Sequence, residues 1–215
     1  MVGAWGICLC VHEAGHAIFA QYAGETDIDA YSTMNYKDYQ NIIVTLAIPS
    51  GLMLLLGAGI PGGIHYLSKS VVENEDMKKR CLVAFGGIIT NVILLYLFSI
   101  PVWIGSGSGS YLIIAFRLLC YLLAFSIVVN LIPIPPMDMF AVIFPMLPEK
   151  AREFIQTYIE HKYYSLAFLA LLILFLWIFS SVVWFLIEIV LFLAFQGIHT
   201  SAVGLVMLPV ISILQ

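Results

Sequence analysis

The sequence predicts an all-α polytopic bundle of about six membrane-spanning helices, and three observations carry that prediction. Of 215 residues, 62% are hydrophobic and only 10% are charged, whereas a soluble globular domain carries about 25% charge. Mean hydropathy is +1.02. The apolar residues also fall into runs near the ~20 residues that cross a bilayer at about 1.5 Å rise each, with charge, Gly and Pro concentrated between the runs.

Taken in order, residues 2–23 form the first apolar run. Residues 24–40, with Glu25, Asp27, Asp29, Lys37 and Asp38, read as a polar loop. A second run covers 41–60 and is broken by Pro61-Gly62-Gly63; its Gly59-x-x-x-Gly63 is a packing motif weakened by Pro61. The most charged stretch, 68–80, leads into a third span from Cys81 to about Pro101. Gly105-Ser106-Gly107-Ser108-Gly109-Ser110 reads as a flexible connector. A fourth span runs from Tyr111 to about Leu131, stopped by Pro133-Ile134-Pro135-Pro136, which cannot continue a helix. Residues 149–162 suit an interfacial helix. The apolar residues 164–195 read as one long tilted helix, with a hairpin near Ser180-Ser181 as the competing layout, and 201–214 as a last span.

Loop charge orients the chain. Four crossings up to Leu131 put the N-terminus, the 68–80 loop and the 149–162 segment on one side. That side holds Lys69, Lys78, Lys79, Arg80, Lys150, Arg152 and Lys162; the other holds Lys37 and, at most, Arg117. The excess marks the first side as cytoplasmic. There is no Lys/Arg stripe for nucleic acid. Cys8, Cys10, Cys81 and Cys120 lie in apolar runs without CxxC spacing and read as packing residues, not a disulfide framework. The first run lacks a basic leader, so a cleaved signal peptide is not expected.

His12-Glu13-Ala14-Gly15-His16 interrupts the first apolar run. Two histidines four apart share a helix face and can offer two nitrogens to one Zn²⁺, with the glutamate between them free to act as a base. A charge at mid-helix depth costs roughly 2.5–3.5 kcal/mol on insertion scales, so something must offset it. Hydrolytic zinc takes three protein ligands and a water. The candidates for the third ligand are Asp138, Glu188, His65, His161 and His199, and Cys8 lies one turn before His12. His12 sits ~15 Å below the cytoplasmic edge. Asp138 follows the fourth span and therefore returns to that same side. Glu188 is otherwise expected to face a partner helix or polar cavity, and the three remaining histidines lie beside interfaces.

His12-Glu13-x-x-His16 together with Asn130-Leu-Ile-Pro133-Ile-Pro135-Pro136-Met-Asp138 resembles the site-2 protease family of intramembrane zinc metalloproteases. Gly86-Gly87-Ile-Ile-Thr-Asn91 is similar to that family's middle motif. The likeness covers about residues 8 to 140, and the compact layout resembles the short prokaryotic branch without a PDZ domain. Two positions depart from the pattern: Met139 stands for a glycine, and Ile88 for a proline.

The resemblance implies one membrane-embedded domain over 1–215, with a catalytic core at about 3–140 and accessory spans at about 163–215. It implies that His12, His16 and Asp138 bind one Zn²⁺, and that Glu13 takes a proton from the attacking water and passes it to the leaving amine. It implies that Asn130 donates to the oxyanion or holds the substrate strand, a donor typically worth roughly 2.7–4 kcal/mol. The implied partners are the lipid bilayer and a membrane protein with a transmembrane segment. The implied location is a prokaryotic cell membrane with the site towards the cytoplasm. Asn91 reads as a helix-bridging amide, and Gly86 and Gly87 as close-packing residues. Two other classes stay open: an inactive zinc-binding regulatory relative, suggested by Met139, and a metal transporter, opposed by the one-sided ligand cluster.

Overall fold

A computed structural model describes residues 2–24, 77–105, 109–134, 137–159 and 164–195. The expected loop at 25–40, the second span, residues 68–76, the final span at 201–214, and His65, His161 and His199 lie outside the described residues. No strand occurs among the described residues, and the element order is helix throughout.

Helix α1 spans Val2–Tyr22. It ends where the Ala23 N–H donates to the Phe19 carbonyl at 2.9 Å, and Gly24 takes φ +86. That left-handed position after the last turn favours glycine, which has no Cβ to clash. Helix α2, Met77–Ile104, is longer than expected at both ends. It begins with Lys78, Lys79 and Arg80, and passes through Pro101 to end one turn later. The proline lacks an N–H, yet its own carbonyl accepts from Gly105 at 2.9 Å.

Helix α3 runs Tyr111–Asn130, as the apolar pattern predicts, and Leu131 caps it with its N–H directed at the Ile127 and Val128 carbonyls. After Pro133 the chain re-forms helix as α4, Asp138–Ile143, then a 3-10 turn at Phe144–Met146. Helix α5, Glu149–Ile159, falls within the polar segment 149–162 where a helix was expected.

The C-terminal apolar stretch is not one tilted helix. Helix α6, Tyr164–Ile178, and helix α7, Ser180–Phe195, meet at Phe179 with a bend of 81° between residues 170–178 and 180–195. The break lies at the serine pair where the hairpin alternative was placed, but the turn is a right angle rather than a reversal. Ser hydroxyls compete for backbone hydrogen bonds, and Ser180-Ser181 is the one adjacent serine pair in the stretch.

Among the described residues, α2 and α3 are long and apolar enough to cross a membrane, and the bent α6–α7 pair adds a third span if it counts as one. Helix α1 packs on α2, α2 on α3 and α4, and α7 on α3. The largest buried cluster joins Trp5, Cys8 and Leu9 of α1 to Ile88 and Leu95 of α2 and to Leu119–Val128 of α3. Helix α7 adds Val183, Ile187, Leu191 and Phe195 at a strict four-residue step, one stripe facing inward. Ile93 and Leu97 of α2 and Phe185, Phe192 and Leu193 of α7 point outward. Lipid tails are as apolar as these side chains, so helix association rests on close van der Waals fit rather than on escape from water.

That fit is closest between α1 and α2. A Cβ on Gly15 would lie 2.6 Å from the Gly86 carbonyl oxygen, and one on Gly86 would lie 2.7 Å from that of Gly15. The two backbones therefore touch within the histidine motif itself.

Candidate metal centre

The inward stripe of α1 changes character along its length. Trp5, Cys8 and Leu9 lie in the apolar core, and one turn further on the same face carries His12, Glu13 and His16, all buried. Helical periodicity alone puts the two imidazoles side by side: their rings meet edge to face, with centroids 4.8 Å apart.

Asp138 closes the cluster. It opens α4, which packs against α2, and its side chain is 8% exposed. Its Oδ2 lies 3.4 Å from His12 Nε2 and its Oδ1 3.3 Å from His16 Nε2. The two Nε2 atoms are 3.2 Å apart. One ligand atom from each of the three residues falls within 4.8 Å of the others, and this is the metal-capable group found among the described residues.

The donor set fits zinc on geometry as well as chemistry. Two nitrogens each about 2.0–2.1 Å from a shared tetrahedral ion lie about 3.3 Å apart, close to the observed imidazole spacing. His16 Nδ1 is 2.8 Å from the Val83 carbonyl, an acceptor only, so that nitrogen carries the proton and Nε2 presents a lone pair to the centre. Asp138 Oδ2 is buried without a hydrogen-bond partner among the described residues. The His16 lone pair and the Asp138 carboxylate oxygens face one centre, an arrangement that a cation there would compensate.

Space for the ion comes from Gly87. A Cβ there would lie 2.6 Å from His12 Cε1, 2.8 Å from His12 Nε2, and closer still to His16 Nε2. The two adjacent glycines thus divide the work: Gly86 lets the helices touch, as expected, while Gly87 borders the ligand cradle, which the packing reading missed. A glycine on the helix facing two predicted ligands was the signal available in the sequence.

A polar chain leads away from the centre across three helices. The Asn91 amide is 3.0 Å from His12 Nδ1 and 3.1 Å from Ser126 Oγ, and Asn130 Nδ2 donates to that hydroxyl at 3.4 Å. Asn91 does bridge to a neighbouring helix, as predicted, but it also touches His12. Asn130, 2% exposed, is the last residue of α3.

Other candidates stay out of the cluster. Cys8 is buried in the apolar core, and Glu188 lies on α7, which packs on α3; neither belongs to the metal-capable group. Met139, where the family pattern has glycine, lies inside α4 in helical conformation, a backbone state open to any residue. Ile88, in place of proline, is buried in the core of an unbroken α2.

No family model matches the chain, and no solved structure matches it. Curated relatives do. The chain is 29% identical over 194 residues to a Mycobacterium tuberculosis protein named "Putative zinc metalloprotease Rip2", covering 86% of this chain and 71% of that protein. It is 30% identical over 158 residues to the Mycolicibacterium smegmatis protein of the same name, covering 71% of this chain and 59% of that one. With the histidine motif, the aspartate after α3 and the glycine–asparagine helix between them, the chain is similar to these zinc metalloproteases, in keeping with the resemblance to the site-2 protease family read from its sequence.

Proposed function

We propose that this protein is a multi-pass membrane protease of about six spans that hydrolyses peptide bonds in or beside transmembrane segments of other membrane proteins. Its centre lies towards the cytoplasmic side, the side favoured by the excess of Lys and Arg. One observation carries the reading: His12, His16 and Asp138 converge beside buried Glu13, in a bundle two of whose described helices are long and apolar enough to cross a bilayer.

A zinc ion held by His12, His16 and Asp138 supplies Lewis-acid chemistry, acidifying water and polarising a carbonyl. The residues do the rest. Glu13, on the same helix face as both histidines, takes the proton from the attacking water and delivers it to the leaving amine nitrogen. Asn130 donates an amide N–H to the substrate carbonyl as negative charge builds there. The Val83 carbonyl holds the His16 ring in orientation, and Asp138 stands at the start of α4. A substrate helix hides its carbonyls in its own hydrogen bonds and must unwind locally before one is attacked.

The test uses purified full-length protein in liposomes with a panel of single-span substrates, comparing wild type with Glu13→Gln. Cleavage by wild type, lost in the variant while zinc stays stoichiometric, supports the reading. Zinc retained with no cleavage by either protein points to a regulatory zinc-binding relative. Zinc flux that survives Glu13→Gln points to transport.

A further inference from the structure

The His12 ring has two nitrogens with different duties, and the residue that decides between them is on α2. Asn91 is 1% exposed. With its Nδ2 at 3.0 Å from His12 Nδ1, the amide donates to that nitrogen and leaves the ring proton on Nε2. In that tautomer Nε2 points its N–H at His16 Nε2, 3.2 Å away, and has no lone pair for a metal. Meanwhile Asn91 Oδ1 is buried without a hydrogen-bond partner among the described residues.

A half-turn of the amide about its last side-chain bond exchanges its two nearly isosteric ends. Oδ1 then accepts from His12 Nδ1–H and from the Ser126 hydroxyl, which sits 3.1 Å from that end of the amide. The lone pair of His12 moves to Nε2, facing Asp138 Oδ2 at 3.4 Å. His16 needs no such device, because the Val83 carbonyl can only accept. The two ligands therefore differ: one tautomer is fixed by backbone, the other is set by a side chain that can turn.

We propose that Asn91 is a positioning residue for the metal centre: by turning its carbonyl to His12 Nδ1–H, it selects the His12 tautomer that binds the ion through Nε2. Ligating histidines commonly give their second N–H to an oxygen acceptor, and loss of that acceptor costs 10–100-fold in metal affinity. The inference rests on the three-ligand reading of the site.

Two measurements on the full chain in detergent test it. The first is zinc affinity by competition with a chromophoric chelator, for wild type, Asn91→Leu and Asn91→Asp. The Leu variant matches the amide in size and has no acceptor; the Asp variant offers an oxygen in either orientation. The expected result is a 10–100-fold loss for Leu and wild-type or tighter binding for Asp. Equal losses in both variants would mean the amide merely fills space, and a folded Leu variant with wild-type affinity would remove Asn91 from the site; either overturns the proposal. The second measurement is the ¹⁵N spectrum of histidine-labelled wild type, with His12 assigned by its absence in His12→Asn. Zinc-loaded protein should show protonated Nδ1 and metal-shifted Nε2, and the reverse assignment overturns the proposal even if Asn91→Leu does not fold. Wild type that binds no zinc at all defeats the site reading itself, a result distinct from either failure above.

Discussion

Gly87 stands against His12 so closely that hydrogen is the one side chain the space admits: a Cβ would lie 2.8 Å from the ring's Nε2 and 2.6 Å from Cε1. The ring cannot retreat freely, because Nδ1 on its far side is engaged by Asn91 at 3.0 Å. Gly87→Ala is therefore expected to displace both imidazoles and lower zinc affinity by at least about tenfold, the low end for disturbing ligand orientation. Helix content by circular dichroism should stay at the wild-type value. Full zinc occupancy in Gly87→Ala after gel filtration would show that the cradle is not where the structure puts it.

The neighbouring contact tests packing separately from chemistry. Gly15 and Gly86 meet backbone to backbone, and a Cβ on either would come within 2.6 or 2.7 Å of the other's carbonyl oxygen. Carbonyls in a helix cannot step aside as a flexible side chain can, so Gly86→Ala must push α1 and α2 apart. Overpacking of this kind costs about 1–3 kcal/mol. At Gly6 a Cβ would meet nothing within 4 Å, so Gly6→Ala is expected to be neutral or to gain up to about 1 kcal/mol from helix propensity. Unfolding in mixed detergent micelles compares the two, and similar midpoints would refute the close approach.

Removing the metal should destabilise the fold as well as stop its chemistry. The cluster gathers two imidazoles and a carboxylate, with Asp138 Oδ2 left without a hydrogen-bond partner among the described residues. A ligand bound by the folded form alone stabilises it by about 2.7 kcal/mol at a hundredfold excess over Kd. Chelation is thus expected to lower the melting temperature, and added zinc to restore it. The shift should vanish in Asp138→Ala; a shift of wild-type size in that variant would place the ion elsewhere.

Much of this was legible from residue order, and the parts that were not have physical reasons. Helices α1 and α3 fall on the expected apolar runs because a glycine or a proline cluster stops each one. The break at Phe179 adjoins Ser180-Ser181, the one place where that stretch offered a hairpin, but two serines fix neither whether an apolar helix bends there nor by what angle. The grouping of His12, His16 and Asp138 was readable because two members are one turn apart on α1 and the third follows the proline cluster that stops α3. The Asn91–His12 contact joins residues 79 positions apart and depends on the register of α1 on α2. That register is set by Gly15 and Gly86, whose meaning appears once the helices are docked. Glycine for Met139 proved dispensable for the backbone, since α4 starts at the ligand itself.

Asn130 ends the polar chain that begins at His12, and its position separates catalysis from metal binding. Its amide donates to Ser126 Oγ at 3.4 Å, a long bond, from a residue 2% exposed. An amide held this loosely can give an N–H to a substrate carbonyl without first breaking a strong bond. Removing one such donor typically costs 10²–10³ in kcat, about 2.7–4 kcal/mol. Asn130→Ala is therefore expected to lose about two to three orders of magnitude in kcat while zinc affinity and melting temperature stay near wild type. Since Asn130 is linked to His12 through Ser126 and Asn91 among the described residues, its loss should leave the His12 ring in place. If instead KM rises and kcat holds, the amide anchors the substrate strand. If zinc is lost along with activity, Asn130 acts through the ligands and the assignment to the oxyanion fails.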